Sequence, residues 1–156
     1  MKREQGYTLI EMLVAISLVT ILSAGGLYGW QRWQQQQRLW QVSTQVRDYL
    51  VMLRNDANWH NRDRLPRLER ADNRWRLNAT EEGGDAGSIA TPWILIPEWP
   101  EVVISEITPS LGFYGLRNTA WPGHITLKSG TESWSIIVSN WGRVRLCRDG
   151  SDAECQ

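Results

Sequence analysis

The sequence predicts an α+β fold: one long N-terminal helix whose second half packs on an antiparallel, β-rich C-terminal domain. Three observations predict it. Between Glu11 and Arg32 lie 20 residues, Met12 to Gln31, without a formal charge. Beyond Arg32 the apolar positions Leu39, Val42, Val46, Tyr49/Leu50 and Leu53 keep an i, i+3/i+4 rhythm, and no proline interrupts before Pro66. After Arg62 the grammar changes to short β-rich segments separated by Gly, Pro and Asn.

In chain order, residues 1–6 form a short polar leader, basic at Lys2 and Arg3. A helix follows from about Tyr7 to about Asn58, on the order of 78 Å long at 1.5 Å per residue. Its first half, residues 7–30, is apolar all round, and the uncharged run spans roughly 30 Å, the thickness of a bilayer's hydrocarbon core. Trp30 and Trp33 at the end of that run suit the interface between lipid and water. Gly25, Gly26 and Gly29 mark either a hinge or close packing of helices on small residues. The second half, residues 31–58, is amphipathic, with Gln34 to Gln37, Gln41, Arg47 and Asp48 toward water. Residues 59–156 are the β-rich domain. Its strand-like segments are Trp75 to Leu77, Trp93 to Ile96, Val102 to Ile104 with Ile107, Phe113 to Leu116, His124 to Lys128, Trp134 to Ser139 and Arg143 to Cys147. Thr80 to Ala90 reads as a flexible loop. There is no internal repeat and no low-complexity tract.

The totals exclude several classes. With 17 basic and 17 acidic residues the charges cancel, so bulk charge points neither to nucleic acid nor to a polybasic membrane anchor. The mean hydropathy of −0.41 conceals the concentration of apolar residues at one end. Cys147 and Cys155 admit three readings: free thiols, part of a metal site, or a small disulfide loop. His60 and His124 have no spacing that completes a zinc set, so no metal is expected. For a chain exported past a membrane the disulfide is the expected state. Closing so short a loop contributes about 2.5 kcal/mol in the chain-entropy model. Asp149, Asp152 and Glu154 crowd that loop, but their spacing is not that of an EF-hand. No cofactor is implied.

Glu11 heads the uncharged run. A carboxylate there costs about 3 kcal/mol on insertion scales, so it calls for a partner. One partner is the helix macrodipole at the interface. The other requires a cut after Gly6, which gives Tyr7 a free α-amine one helical turn before Glu11. At about 4 Å and an effective dielectric near 20 that pair is worth about 4 kcal/mol. Formed within a subunit it is local; formed between subunits it sets their axial stagger.

The run Gly6-Tyr7-Thr8-Leu9-Ile10-Glu11 resembles the class III signal of type IV prepilins and type II secretion pseudopilins, commonly Gly-Phe-Thr-Leu-Ile-Glu. The resemblance implies that prepilin peptidase, an inner-membrane aspartic protease, cuts after Gly6 and N-methylates Tyr7. It makes the fold type IV pilin-like and gives Glu11 a role in assembly. Tyr7 in place of the commoner Phe keeps the aromatic ring. Gly123 to Leu127, Ile136 to Ser139 and Gly142 to Arg145 resemble the closing strands of the GspH/FimT group of minor pilins. Leu27 to Trp30, Asp56 to His60 and Leu116 to Trp121 are similar to the enterobacterial prepilin-peptidase-dependent proteins of that group. The implied role is a minor pilin that, with three other minor pilins, primes type IV pilus assembly near the filament tip. Implied partners are prepilin peptidase, the other minor pilins and the major pilin, the inner-membrane assembly platform, and inner-membrane lipid. The implied location is a single-pass inner-membrane protein with a periplasmic C-terminal domain, then the pilus tip at the cell surface. The N-terminal motif serves type II secretion pseudopilins of the GspH type equally.

The same residues bear on rival readings. An ordinary secretory signal lacks its Ala-x-Ala site, Leu22-Ser-Ala24 is a weak substitute, and the apolar run is too long. Lys2 and Arg3 on one side balance Arg32 and Arg38 on the other, so charge bias sets no orientation. Arg143 and Arg145 fall on one face of an extended strand, and some FimT-like minor pilins use Gly-Arg-x-Arg for DNA uptake; a solvated strand face is the preferred reading. Enzyme activity is not expected, because His60 and His124 lack an evident nucleophile or ligand partner. Trp59, Trp75 and Trp134 are expected in a core that has one phenylalanine to draw on.

Overall fold

The computed structural model describes residues 8–80, 94–149 and 155, with the backbone alone at Leu27. Gly6, Tyr7 and the loop expected at Thr80 to Ala90 (Thr80 apart) lie outside them. Helix α1 runs Leu9–His60, two residues beyond the expected end. The chain divides into two compact units, Met1–Gln35 and Gln36–Gln156, which places the boundary inside α1.

In the first unit α1 passes through Gly25, Gly26 and Gly29 without interruption. A Cβ added at any of the three would meet nothing within 4 Å, so no neighbour inside the chain requires a glycine there. The rings of Trp30 and Trp33 are 5.2 Å apart.

In the second unit, α1 buries Leu39, Val42, Val46, Tyr49, Leu50, Leu53 and Ala57, the stripe that the sequence periodicity traced. Each fully buried aliphatic side chain contributes about 2 kcal/mol by removal from water. Ser43 is also buried on this stripe; its Oγ donates to the Leu39 carbonyl at 2.8 Å, which satisfies the hydroxyl within the helix. Tyr49 donates to the Leu77 carbonyl at 3.3 Å, and burial pushes its phenol pKa up.

The strands are β1 (Leu65–Ala71), β2 (Arg74–Thr80), β3 (Ile94–Leu95), β4 (Val103–Ile107), β5 (Gly112–Tyr114), β6 (Thr119–Trp121), β7 (Gly123–Ser129), β8 (Glu132–Val138) and β9 (Val144–Arg148). They form three antiparallel sheets ordered β1-β2-β3, β4-β7-β8-β9 and β5-β6. The four-stranded sheet turns Ile104, Ile125, Leu127, Ile136, Val138 and Leu146 inward. Trp75 ties the sheets together by donating from Nε1 to the Val102 carbonyl at 2.7 Å.

Two strands were not legible beforehand. β1 carries Pro66 and three charged residues, and β6 is three residues long. The β1–β2 turn holds Asp72 and Asn73 at φ 51° and 60°, the pair of left-handed residues that a type I′ hairpin needs. Trp59, expected in the core, is 86% exposed, because it lies past the packed stretch on the last turn of α1. Trp75 is buried and Trp134 is partly buried against the core.

The end of α1 is a Schellman cap. Asn61 adopts φ 52° and the Arg62 N–H donates to the Ala57 carbonyl at 3.1 Å. Just beyond, Asp56 Oδ2 accepts from Arg64 Nε at 2.6 Å, with both side chains nearly buried, and Asp56 Oδ1 lies 2.9 Å from His60 Nδ1. At the other end of this helical stretch, Gln36 Nε2 donates to Glu132 Oε1 at 3.3 Å. Arg38 pairs with Glu101 and its guanidinium lies 4.2 Å over the Trp99 ring. The Arg38 hydrogen bond holds the Glu101 carboxyl below the usual carboxylate range.

Candidate functional site

Two features bear on function: the apolar half of α1 and the outer faces of the globular unit. On the helix, Leu9, Ile10, Leu13, Ile16, Val19, Ile21 and Leu22 are each more than 60% exposed, on all sides. Ser17 Oγ donates to the Val14 carbonyl and Thr20 Oγ1 to the Ser17 carbonyl, both at 2.8 Å. These two hydroxyls are therefore satisfied by their own backbone, as an apolar surrounding requires. Among the described residues this is the one helix long and apolar enough to cross a membrane. Its exposed surface needs lipid or other helices to cover it.

Glu11 sits in the first turn, where its backbone N–H donates to the Thr8 carbonyl at 3.0 Å. Its side chain is exposed and has no ion-pair partner among the described residues. The macrodipole of α1 supplies part of what a carboxylate needs there. A positive charge arriving one turn earlier, or from a neighbouring helix, would supply the rest.

In the globular unit Cys147 and Cys155 form the expected disulfide. They face each other as an antiparallel bridge, so the bond pins Cys155 against the free edge of β9. Arg143 and Arg145 are both exposed. Arg143 precedes β9, where its N–H donates to Ser139 Oγ at 3.2 Å; Arg145 stands opposite Ile137 on the outer face of the sheet. Lys128, on β7, is paired with Ser133 at the opposite end of β8, so it does not join them.

That outer face holds an open groove of about 1060 Å³ lined by Glu106, Thr108, His124, Thr126 and Ser135 among others. His124 does have partners, contrary to expectation. Its Nδ1 is 3.3 Å from Thr108 Oγ1 and its Nε2 is 3.3 Å from Glu106 Oε1. They were missed because a β-bulge at Ser105, between Ile104 and Glu106, brings Glu106 into register with Thr126 beside it. His60 is likewise held, by Asp56. No group of three or more metal-ligating side chains gathers among the described residues.

Residues 1–27 match the family described as "Prokaryotic N-terminal methylation motif". The solved minor pseudopilin EpsH, from the type 2 secretion system of Vibrio cholerae, is similar over 73% of this chain and 99% of its own, with a TM-score of 0.52 and 16% identity. The fold is pilin-like. At that identity the likeness concerns the fold: a long N-terminal helix on an antiparallel β domain. No curated protein matches the chain. The prepilin motif and the apolar helix fit a membrane anchor whose C-terminal domain lies outside.

Proposed function

We propose that this chain is a minor pilin: a subunit cut by prepilin peptidase after Gly6, N-methylated on Tyr7, and used to initiate type IV pilus assembly near the filament tip. One observation carries the reading. A methylation motif opens a helix whose apolar side chains are exposed all round, and the same helix continues into a pilin-like globular unit. Lipid covers the apolar half before assembly and neighbouring helices cover it afterwards. The amine created at Tyr7 meets Glu11, either its own or that of the adjacent subunit.

The finer placement among enterobacterial prepilin-peptidase-dependent minor pilins rests on sequence resemblance alone. The similarity to EpsH supports a second reading, a type II secretion pseudopilin, to the extent that fold alone can. Deleting the gene separates the two: loss of piliation with secretion intact is the expected result, and the reverse favours the pseudopilin. The role is assembly rather than catalysis. Thr108 Oγ1 accepts the backbone N–H of His124 at 3.0 Å, and the side chain of His124 is 41% exposed to solvent among the described residues.

Co-expression of the full chain with a prepilin peptidase, followed by mass spectrometry of the N-terminal peptide, tests the reading. The expected mature chain starts at N-methyl-Tyr7. An intact Met1, or a start near Gly25, overturns it.

A further inference from the structure

Between the tip of the β1–β2 hairpin and the edge strand β4 lies a cavity of about 390 Å³, lined by Arg70, Asn73, Arg74, Pro100 and Val103 among others. The tight turn at Asp72 and Asn73 holds the two arginines on either side of it. Both are exposed, and neither has an ion-pair partner among the described residues. The carboxylates of the two walls are engaged or turned away. Glu69 takes Arg76 at 3.0 Å, and Glu101 takes Arg38. Asp72 lines a second cavity, with Arg76 and Ile96, which Arg74 also borders. No carboxylate among the described residues lines the first cavity, so its own charge is positive although acids and bases balance around it. Lys128 stands opposite Val103 in the β4–β7 ladder, which sets a third cation next to one wall.

The cavity lies at the end of the globular unit where α1 enters it. Arg38, two residues past Gln36, lies over the Trp99 ring and pairs with Glu101, and Pro100 between those two residues is part of the cavity wall. Trp75, on the hairpin side, donates to the Val102 carbonyl and ties the other wall to the same segment. The uncharged run ends at Gln31, seven residues before Arg38. Seven residues span about 11 Å as helix and at most about 25 Å fully extended, a limit set by chain length alone. A headgroup layer about 6 Å deep borders the hydrocarbon core on each side. If the apolar half of α1 spans a bilayer, the unpaired arginines therefore stand within reach of lipid phosphates. Val103, at 48% exposure, gives the cavity an apolar wall as well, which suits a phosphate that carries a glycerol ester.

We propose that this cavity binds the headgroup of an anionic phospholipid of the anchoring bilayer, with Arg70 and Arg74 on the phosphate and Val103 against the glycerol ester. Arginine suits the task because its planar fork donates two parallel hydrogen bonds to phosphate oxygens. The contact holds the globular unit against the membrane until the subunit leaves it for a filament. The inference rests on the membrane-anchor reading of the apolar half, and on neither cleavage nor methylation.

The test uses the full chain in nanodiscs of phosphatidylcholine with a minor share of phosphatidylglycerol. Incorporation of the chain into the disc reads the anchor, and the identity of the bound lipid reads the site. p-Benzoylphenylalanine is placed at Val103, and the adduct formed on irradiation is identified by mass spectrometry. Phosphatidylglycerol is expected in the adduct about thirtyfold above its share of the bilayer, the combined effect of two arginines near a charged surface. Arg70→Gln with Arg74→Gln should bring it down to that share. Arg67→Gln removes the same charge from an exposed position of the hairpin outside the cavity and should leave the preference intact. Native mass spectrometry of the chain without the photoreactive residue gives a second reading: Arg70→Gln alone should lower retention of phosphatidylglycerol about fivefold. Three results overturn the proposal: no lipid adduct at Val103, an adduct that only mirrors the bilayer composition, or a preference that Arg67→Gln lowers as much as Arg70→Gln does. Loss of the adduct on adding excess inorganic phosphate also overturns it and assigns the cavity to a soluble anion.

Discussion

Asp56 holds the junction between the end of α1 and the start of β1. Its two carboxylate oxygens take Arg64 Nε at 2.6 Å and His60 Nδ1 at 2.9 Å, and the Arg64 side chain is only 7% exposed. Arg64 in turn exchanges both backbone hydrogen bonds with Phe113 at 2.9 Å, so the pair fixes where the chain leaving the helix meets β5. Removing one member of a buried pair leaves the other charge uncompensated, which costs far more than the pair itself contributes. Asp56→Ala is therefore expected to destabilise the folded unit by about 3 kcal/mol. Chemical denaturation of the full chain in detergent, followed by tryptophan fluorescence, measures it. A loss under about 0.5 kcal/mol, the level of an exposed pair, would show that this contact contributes little. None of this was legible in sequence, where Asp56 and Arg64 are two charges among many. Burial, which gives the pair its weight, is decided by Phe113 and the strands that cover it.

At the scale of elements, the close approach of the Gly115–Arg117 turn to α1 is the tightest constraint described. A methyl group at Gly115 would meet the Ala57 carbonyl oxygen at 2.2 Å and backbone atoms of Asn61 and Arg62 at 2.8 Å and 2.7 Å. All three are backbone, held by the Schellman cap, and cannot swing aside as a side chain tip would. Gly115→Ala is expected to lower the melting temperature by several degrees or more, while Gly26→Ala, with nothing within 4 Å, should leave the globular unit's transition unchanged. Differential scanning calorimetry of both variants decides it; equal behaviour would refute the clash. The elements that periodicity could announce are the ones it did announce: the buried stripe of α1 and the apolar runs of β7, β8 and β9. β1 escaped because Pro66 and its alternating charges imitate a loop. The signal that could have found it was Asp72-Asn73, two residues at ease with positive φ, set before the aromatic strand β2.

For the molecule as a whole, one helix meets two environments. Its first half exposes aliphatic side chains on every side, and its second half buries a single stripe under a β domain. Glu11 belongs to the first half, and its proposed work lies between subunits. Glu11→Ala is expected to leave cleavage and the mass of the processed N-terminus unchanged while reducing surface filaments at least tenfold, which takes about 1.4 of the about 4 kcal/mol assigned to its charge pair. Quantitative shear-and-blot of pili beside mass spectrometry of the same cells reads both quantities. Unimpaired piliation would remove the inter-subunit role. The uncharged apolar half of the helix, its length and its buried face were determined by sequence alone, because absence of charge, length and period are properties of a linear string that an apolar surrounding or a core reads directly. The tertiary structure decided the rest. It exposed Trp59, gave His124 its partners through a bulge, and brought Arg70 and Arg74 to one cavity with Pro100 and Val103. Burial and neighbourhood depend on what packs opposite, and here the opposing residues lie tens of positions away along the chain.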